Sequence, residues 1–371
     1  MGSHDIQASE GGAQHRAFMT ALLHDLDALD RMIADNVIEA DQRRIGAEQE
    51  MVLVDADFRP APRAPEVIEQ LTRHGQNDHI TNELARFNLE ANIPPIAVGT
   101  GMFVSLEAEV SKAVELVQTA ANDHGCAPVL TGILPTLELR DLGALNITPI
   151  ERYYELDRVV RAMRGRDYEL FIKGTDELSL RFPSIMLEAL NTSFQVHLQV
   201  TAEEFVPLYN LAQAIAGPVL AACVNSPLLL GRRLWQETRI AIFQQAVDTR
   251  RMGGAHRETM GRVRFGDAWV RESATEIFRT DIARFRPIFG QPELEDSLAI
   301  LEAGNIPKLS ALALHNGTVY RWNRPCYGLT KGKPHLRLEN RYLPSGPTVH
   351  DEIANAALWI GIMLGGRERF G

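Results

Sequence analysis

The sequence predicts an α+β fold built on a mainly antiparallel sheet. Segments with strand-like alternation and acidic or polar faces recur from residue 45 to residue 341. Helical segments of mixed length separate them, without the regular alternation of strand and helix that is typical of a parallel sheet. Because these strands extend over almost the whole chain, a site that they build would join residues 16–371 into one catalytic domain.

Hydrophobic periodicity places the individual elements. Apolar positions at helical spacing predict helices over 17–37, 65–71, 103–124, 150–163, 203–222, 232–247 and 293–302, with Pro65 opening the second. Alternation predicts strands over 45–54, 80–92, 127–134, 191–200 and 332–341. Turn residues and composition predict a loop over 135–148, a turn at 225–227 and a mobile surface loop over 250–266.

The composition indicates a soluble globular protein that acts on small molecules. The chain has 371 residues, 45% of them apolar, and a formal net charge of −10. It contains no block of Lys and Arg and no aromatic RNA-binding signature, so nucleic acid is not an expected partner. The longest apolar stretch, 208–230, is interrupted by prolines and polar residues, which predicts a buried helix and its exit turn and no membrane span.

The cysteines and the amino terminus indicate the compartment. Three cysteines about a hundred residues apart fit neither a disulfide framework nor a metal–thiolate cluster, which favours the cytoplasm. Residues 1–15 lack the apolar core of a signal peptide; we expect them to be disordered and partly a cloning remnant. The oligomeric state is open, with a homodimer as one possibility.

Two glutamates alternate in the first acidic strand. The side chains of Glu48 and Glu50 point to one face of an otherwise apolar segment. Like charges on one sheet face repel each other, and carboxylates are seldom buried unless they are paired or bound to metal. Divalent cations relieve this repulsion most simply, so the strand favours an oxygen-ligated Mg²⁺ site. Solvated residues on an edge strand are the alternative.

Other acidic and polar residues lie on three further predicted strands. Glu83 and Glu90 are seven residues apart, so both face one site only if the strand bends or bulges between them. Glu339 lies between Arg337 and Arg341, which is also the pattern of a surface ion-pair ladder. The polar face of residues 191–200 consists of Ser193, Gln195, His197 and Gln199. Each set has an ordinary structural explanation, whereas their combination favours one shared site.

In their order, these motifs resemble the glutamate–cysteine ligase type 2 family of carboxylate–amine ligases, relatives of glutamine synthetase. The resemblance covers residues 45 to about 345. It rests on Gly46-Ala47-Glu48-Gln49-Glu50, Glu83 with Glu90-Ala91-Asn92, Gln195-Val196-His197-Leu198, Asn225-Ser226-Pro227 and Glu339-Asn340-Arg341. It implies a curved antiparallel sheet forming a cup, with helices on the outer face, ATP at one end and an amino acid at the other.

The resemblance also implies metal ions between ATP and the amino acid. Two or three Mg²⁺ ions, replaceable by Mn²⁺, would neutralise phosphate charge during phosphoryl transfer. One ion would be held by Glu50, Glu83 and Glu90, and a second by Glu48, Glu339 and a residue of the strand that contains positions 195–197.

The register of that strand leaves its metal ligand open. Members of the family often have His-x-His here, the first histidine facing the metal. By register Gln195 takes that place and its amide oxygen would bind metal, while His197 would face the ATP phosphates. A shift by two residues would make His197 the ligand, and a shift by one would turn both side chains away.

Further roles follow from the resemblance. Arg341 would act with Glu339 in catalysis by stabilising the transferred phosphoryl group or a substrate carboxylate. The remaining candidates are Lys331 and Lys333 for ATP phosphates, and Arg239 and Asn92 for the substrate carboxylate. A solvated loop for the lysines and a helix-surface position for the arginine are the ordinary alternatives.

The activity implied is ATP-dependent ligation, with ATP, an amino acid such as glutamate and an amine as substrates. The γ-carboxylate of glutamate would form an acyl phosphate, which an amine then converts into an amide. The C-terminal segment, about 30 residues after Glu339, is short for the family and could be incomplete. A non-catalytic nucleotide-binding relative and a guanidino-type phosphotransferase on the related fold are the alternative functions.

Overall fold

The structure is a computed structural model that describes residues 7–8, 12–77, 79–248, 250, 260–290 and 294–370. Its strands are β1 (Gln7–Ala8), β2 (Arg44–Val54), β3 (Ile80–Asn82), β4 (Asn88–Ala97), β5 (Ala127–Val129), β6 (Tyr168–Lys173), β7 (Glu177–Phe182), β8 (Phe194–Val200), β9 (Leu228–Leu229), β10 (Arg232–Arg233), β11 (Phe289–Gly290), β12 (Asn323–Thr330) and β13 (Lys333–Asn340). Its α-helices are α1 (Gly12–Ala34), α2 (Ala64–Arg73), α3 (Met102–Asn122), α4 (Glu151–Arg164), α5 (Ala202–Ala222), α6 (Thr238–Ala246), α7 (Ala274–Arg284), α8 (Ser297–Glu302), α9 (Ser310–Asn316) and α10 (Val349–Phe370).

A seven-stranded sheet positions the polar strands next to each other. Its order is β12-β13-β8-β2-β4-β3, with β5 paired to the end of β2, and every pairing is antiparallel. The sheet curls into a half-barrel, which confirms the predicted α+β class and its curved antiparallel sheet. Strands far apart in the sequence therefore become neighbours at the centre.

The register of the sheet brings the predicted polar residues side by side. Glu48 lies opposite Gln195, and Glu339 lies opposite His197. On the other side of β2, Glu50 lies opposite Glu90. Opposed residues in an antiparallel pair have neighbouring side chains on the same face, so the acids of three strands meet on one face of the sheet.

The helices of the other face are held by buried apolar side chains. On β8, Phe194, Val196 and Leu198 are fully buried and belong to the main core. Helix α10 packs against β8, α3 and α5, and α5 also packs against β12 and β13. Both faces of the central strand are thus buried, because its polar face is covered as well.

Helix α5 has a mostly apolar composition. It is long and apolar enough to cross a membrane by length and hydropathy alone, a test that core helices of soluble proteins also pass. It begins with a capping box, in which Thr201 and Glu204 satisfy each other's backbone N–H groups. Its buried side includes Phe205, Leu208 and Tyr209, as expected for the predicted buried helix.

Several element boundaries differ from the prediction. The predicted strand 80–92 divides into β3 and β4, with Glu83 in the connection, so the bend that the sequence required is present. The strand predicted over 127–134 ends at Val129, the helix predicted over 232–247 begins only at Thr238, and the helix predicted over 293–302 begins at Ser297.

Strand β12 is absent from the prediction although it pairs along the whole of β13. Pro325 and Gly328 interrupt its alternation, and a proline is tolerated there because β12 is an edge strand. The β6–β7 hairpin and helices α7, α9 and α10 were likewise missed.

The two predicted flexible segments are only partly described. Helix α1 begins at Gly12, so disorder over residues 12–15 is wrong, whereas 1–6 and 9–11 lie outside the described residues. In the predicted loop 250–266, positions 251–259 lie outside the described part. Its end is not a free surface loop, since Arg264 donates its backbone N–H to Tyr320 O at 3.1 Å.

A buried carboxyl group makes the stability of this fold pH-dependent. Asp25 on α1 is 1% exposed and accepts hydrogen bonds from Ser297 Oγ and from Leu312 N at 2.9 Å. Burial raises its pKa from 3.8 to about 6, partly offset by these donors. Because the folded protein favours the protonated carboxyl group, the contribution of Asp25 to the free energy of unfolding is fully present below pH 3.8. This contribution is lost as the pH rises through 6.

We therefore predict that Asp25→Asn flattens the pH dependence of unfolding. The free energy of unfolding of the wild type relative to this variant should fall by about 2 kcal/mol between pH 4 and pH 7. Chemical denaturation at a series of pH values measures the difference. The control is Asp27→Asn on the same helix, where the side chain is exposed and paired with Arg31 at 3.0 Å; an identical pH profile for the two variants would contradict the prediction.

Candidate active site

A charged cavity lies on the polar face of the curled sheet. Its volume is about 410 Å³, and β2, β4, β8, β12, β13, α4 and α9 all contribute to its wall. The acidic residues that line it are Glu48, Glu50, Glu83, Glu90, Glu188 and Glu339, and the arginines are Arg152, Arg324, Arg337 and Arg341. Six carboxylates in one cavity require compensation by cations, because each is partly or fully removed from water.

Three metal-ligating groups meet at one end. Ligand atoms of Glu48, His197 and Glu339 all lie within 4.8 Å of one another. His197 Nε2 is 3.1 Å from Glu48 Oε1, at ion-pair distance, although this buried nitrogen makes no well-aligned hydrogen bond to any described residue. Burial would raise the pKa of Glu48, yet His197 and Arg341 outweigh it and hold that pKa below its usual value. The group thus places an anionic carboxylate at ion-pair distance from a histidine.

Glu339 is held by donors from β12 and from Arg341, which follows the end of β13. Arg324 Nε and Nη2 donate to its two oxygens at 3.0 and 2.8 Å, Arg341 donates to Oε1, and Cys326 Sγ donates to Oε2 at 2.9 Å. Burial would raise the pKa of Glu339, but the two guanidinium groups dominate and hold it well below its usual value. A fixed orientation and a permanent negative charge result.

The carboxylates at the other end lack such compensation. Burial is the main cause that raises the pKa of Glu83, of Glu90 to about 8 and of Glu188 to about 7, and repulsion by neighbouring carboxylates adds to it in each case. Burial raises the pKa of Glu50 as well, although Arg239, Ser193 and Arg341 oppose the shift. Ser193 N and Gln195 Nε2 donate to its oxygens at 2.6 and 3.0 Å.

Both ends fit hard divalent cations. Mg²⁺ and Mn²⁺ bind carboxylate oxygens, and a neutral imidazole nitrogen is an accepted ligand of the second. Bound cations would remove the carboxylate repulsion at Glu50, Glu83 and Glu90, and would give the buried His197 Nε2 a well-aligned bond that it does not make to any described residue. The carboxylate and imidazole groups present are therefore compatible with the metal site expected from the sequence.

The structure places Gln195 and His197 in different environments of the same wall. Gln195 bridges the two ends, because its Nε2 donates to Glu50 while its Oε1 accepts from Arg341. His197 lies with Glu48 and Glu339 in one group of potential metal ligands, whereas Gln195 Oε1 accepts from Arg341. Both residues line the cavity, so the choice of Gln195 or His197 as the metal ligand stays a prediction.

Four other predicted site residues do not line the cavity. Asn92 Nδ2 donates to Glu90 Oε1 at 2.9 Å, which orients that carboxylate. Arg239 is not on a helix surface: it is 2% exposed and its Nη1 donates to Glu237 at 3.0 Å and to Tyr342 O at 3.1 Å. Lys331 lies in the β12–β13 turn, and the exposed Lys333 pairs with Asp41 at 3.2 Å.

Several cavity residues escaped the sequence analysis. Glu188 lies in a short 3₁₀ helix, Ile185–Leu190, which has no periodic signal. Arg324 lies on the unpredicted strand β12, and Arg152 on α4. Arg337 was noticed only as a neighbour of Glu339; its buried Nε has no hydrogen-bond partner, and it forms no ion pair with any residue that the structure describes. Of these residues, only Arg337 could have been predicted from the sequence, because it alternates with Glu339 on a predicted strand.

The profile of glutamate-cysteine ligase family 2 matches residues 44–363, so the chain belongs to that family. This confirms the family resemblance of the sequence motifs and supports a ligase enzyme. No curated protein matches the chain in sequence.

Solved structures with a related chain course are distant. A bifunctional glutathione synthetase from Pasteurella multocida is 10% identical over 92% of this chain and 40% of its own, with a TM-score of 0.48. GmaS without ligand is 12% identical over 55% of this chain and 42% of its own, with a TM-score of 0.27. A GmaS complex with ADP is 12% identical over 57% of this chain and 45% of its own, with a TM-score of 0.29. The chain spans less than half the length of each.

We predict that divalent cations release protons from the acidic end. At pH 7 the Glu90 carboxyl, with a pKa of about 8, is mostly protonated in the metal-free protein. Metal binding requires the carboxylate form, so adding Mg²⁺ or Mn²⁺ at pH 7 should release on the order of one proton per protein, and fewer at pH 9. Titration calorimetry in buffers of different ionisation enthalpy counts these protons.

The matched variants for this experiment are Glu90→Gln and Glu69→Gln. Glu69 is an exposed residue on α2 that is only 3.7 Å from Arg73, so its replacement should leave the proton count unchanged. Glu90→Gln should lower it. Proton release that is equal at pH 7 and pH 9, or equal in the two variants, would contradict the assignment.

Proposed function

We propose that the protein is an ATP-dependent carboxylate–amine ligase that forms a γ-glutamyl amide through an acyl phosphate. Membership of the family supports the ligase class. The observation that carries the proposal is the division of one cavity into two ends. One end has Glu48, His197 and Glu339, with Arg324 and Arg341 bonded to Glu339. The other has Glu50, Glu83, Glu90 and Glu188, which accept no hydrogen bond from an arginine that the structure describes.

The basic end suits the phosphates of ATP. Arg341 and Arg324 are anchored on Glu339, so their guanidinium groups are fixed in the wall before any ligand binds. The buried Nε of Arg337 makes no hydrogen bond to any residue in the described part of the chain, so this guanidinium can receive an anionic group. Preorganised arginines stabilise charge that develops in phosphoryl transfer without having to reorganise at the moment of reaction.

The cations expected between the ends would be Mg²⁺ or Mn²⁺, held by Glu48, His197 and Glu339, where the nitrogen ligand suits Mn²⁺ better, and by Glu50, Glu83 and Glu90. Bound there, they supply charge neutralisation for the phosphates and the substrate carboxylate. Glu339 keeps its negative charge because of Arg324 and Arg341, and Gln195 ties Glu50 to Arg341 across the gap.

The reaction proceeds in two balanced steps. An oxygen of the substrate carboxylate attacks the γ-phosphorus of ATP, the bond to the bridging oxygen breaks and ADP leaves. The amine nitrogen then attacks the acyl carbon, inorganic phosphate leaves with the bonding pair, and the nitrogen loses a proton. No protein nucleophile takes part, and positioning and charge compensation account for the catalysis.

We predict amine-dependent ADP release with Mg²⁺-ATP and glutamate. A panel of amines that includes cysteine is varied, and mass spectrometry identifies an amide as the product. ADP release that no amine stimulates would reject the ligase, and a stable phosphorylated product without amide would show a phosphotransferase instead. Glu48→Gln should lower kcat by about 10²-fold or more, since it removes an anionic ligand of the cation that neutralises the phosphates, whereas Glu69→Gln should not.

A second prediction concerns the cation that binds the phosphates. Arg337→Met should raise KM for ATP by about tenfold or more, because its guanidinium lines the cavity without a partner. Lys331→Met and Lys333→Met should change KM less than threefold, since neither lysine lines the cavity. The opposite order of effects in initial-rate measurements would restore the phosphate role that the sequence predicted for the lysines.

A further inference from the structure

A buried polar network lies directly behind the acidic strand β2. Gln49 points away from the cavity between Glu48 and Glu50, and its side chain is fully buried. Its Nε2 is 2.9 Å from Glu352 Oε1, 3.0 Å from Ser345 Oγ and 3.0 Å from the main-chain carbonyl of Glu50. Glu352 belongs to the first turn of helix α10, so this network joins the C-terminal helix to the strand that carries two candidate metal ligands.

Ser345 forms the second link to the same strand. Its Oγ donates to the Glu50 carbonyl at 2.9 Å, and its backbone N–H donates to Thr192 O at 3.2 Å, just before β8. Its own carbonyl accepts from Asn225 Nδ2 at 2.8 Å. Ser345 therefore fixes the Glu50 backbone relative to β8 and to the turn at 225–227.

Gly346 completes the network on the Glu352 side. Its N–H donates to Glu352 Oε1 at 2.6 Å. It has φ of +77°, and a Cβ there would come within 2.2 Å of Leu130 O, so only glycine fits. Glu352 Oε1 thus accepts from Gln49 and Gly346 and lies 3.3 Å from Ser345 Oγ, while the whole side chain is excluded from solvent.

Both sides of Glu50 are consequently fixed. Behind the strand its carbonyl receives hydrogen bonds from Gln49 and Ser345, and in the cavity its carboxylate receives them from Ser193 N and Gln195. A buried polar network of this kind contributes little net stability compared with apolar packing, whereas a misplacement of about 1 Å at a reacting group lowers rates about 10²-fold. Its location favours a role in positioning.

We propose that Gln49, Ser345 and Glu352 are positioning residues that hold Glu50 in its metal-binding orientation, so that helix α10 is coupled to the cation site. This inference rests on the proposed function. None of the three residues lines the cavity, and the effect is exerted through the Glu50 backbone.

Two replacements of Glu352 test the inference. Burial raises the pKa of Glu352 to about 7, offset in part by Gly346, Gln49 and Ser345, so glutamine is a conservative replacement that keeps an acceptor oxygen. Glu352→Leu keeps the volume and removes both acceptors. The neighbouring Asp351→Leu is the control, because Asp351 is exposed and accepts from Thr348 outside the network.

The first readout is Mn²⁺ affinity of the full chain without ATP or amine, measured by electron paramagnetic resonance. The second is kcat and KM of the ligase reaction, and the unfolding temperature reports folding. Glu352→Leu should weaken Mn²⁺ binding by about tenfold or more and lower kcat more than it raises KM for ATP, while Glu352→Gln and Asp351→Leu stay within about threefold of the wild type.

Three outcomes overturn the inference: a folded Glu352→Leu variant with wild-type Mn²⁺ affinity and kcat, equal losses for Glu352→Leu and Glu352→Gln, and a wild type that binds no Mn²⁺. If Glu352→Leu does not fold, Ser345→Ala removes one hydroxyl only and should weaken Mn²⁺ binding by about threefold or more; unchanged affinity would overturn the inference. A wild type that binds Mn²⁺ but forms no amide rejects the proposed function alone, because the Mn²⁺ measurement still decides the positioning role.

Discussion

Repulsion between buried carboxylates is the constraint on which the rest of the site depends. The antiparallel register brings Glu48, Glu50, Glu90 and Glu339 to one face of a curled sheet, and the β3–β4 connection adds Glu83. Water cannot screen these charges well inside the cavity, so each needs an arginine, a proton or a metal ion. The position of each compensating group then determines what the cavity can bind.

The two ends of the cavity meet this constraint in different ways. Arg324 and Arg341 compensate Glu339 permanently, which also fixes both guanidinium groups in the wall. Glu83, Glu90 and Glu188 have no comparable partner among the described residues, and burial together with mutual repulsion raises their pKa values, so a proton or a cation would compensate each of them. The proposed transfer of a phosphoryl group to a carboxylate needs such an arrangement, with fixed arginines at one end and carboxylates for cations at the other.

The sequence predicted those parts of the site that rest on strict alternation. Glu48, Glu50, Gln195, His197 and Glu339 all line the cavity, because period-two alternation determines the face of a residue once the strand is known. The family match confirmed the resemblance that these motifs suggested, and the predicted antiparallel sheet is present. The different partners of Gln195 and His197 could not be predicted, because they depend on the register between paired strands.

The rest depends on contacts between distant segments, which local patterns do not contain. Arg324 lies on an edge strand whose alternation is interrupted by Pro325, so the strand was not predicted. Glu188 lies in a short 3₁₀ helix, which has no periodic pattern. Arg239, a candidate for the substrate carboxylate with a helix-surface position as the alternative, is buried and donates to the Tyr342 carbonyl. Gln49 and Glu352 are 303 residues apart in sequence, so their contact had no local signal.

The most direct test of the central claim is the position of metal ions in crystals soaked with Mn²⁺ and a non-hydrolysable ATP analogue. Anomalous diffraction should place Mn²⁺ beside Glu48, His197 and Glu339 and beside Glu50, Glu83 and Glu90, with the phosphates against Arg337 and Arg341. Anomalous peaks away from these carboxylates, with nucleotide bound elsewhere on the protein, would contradict the account.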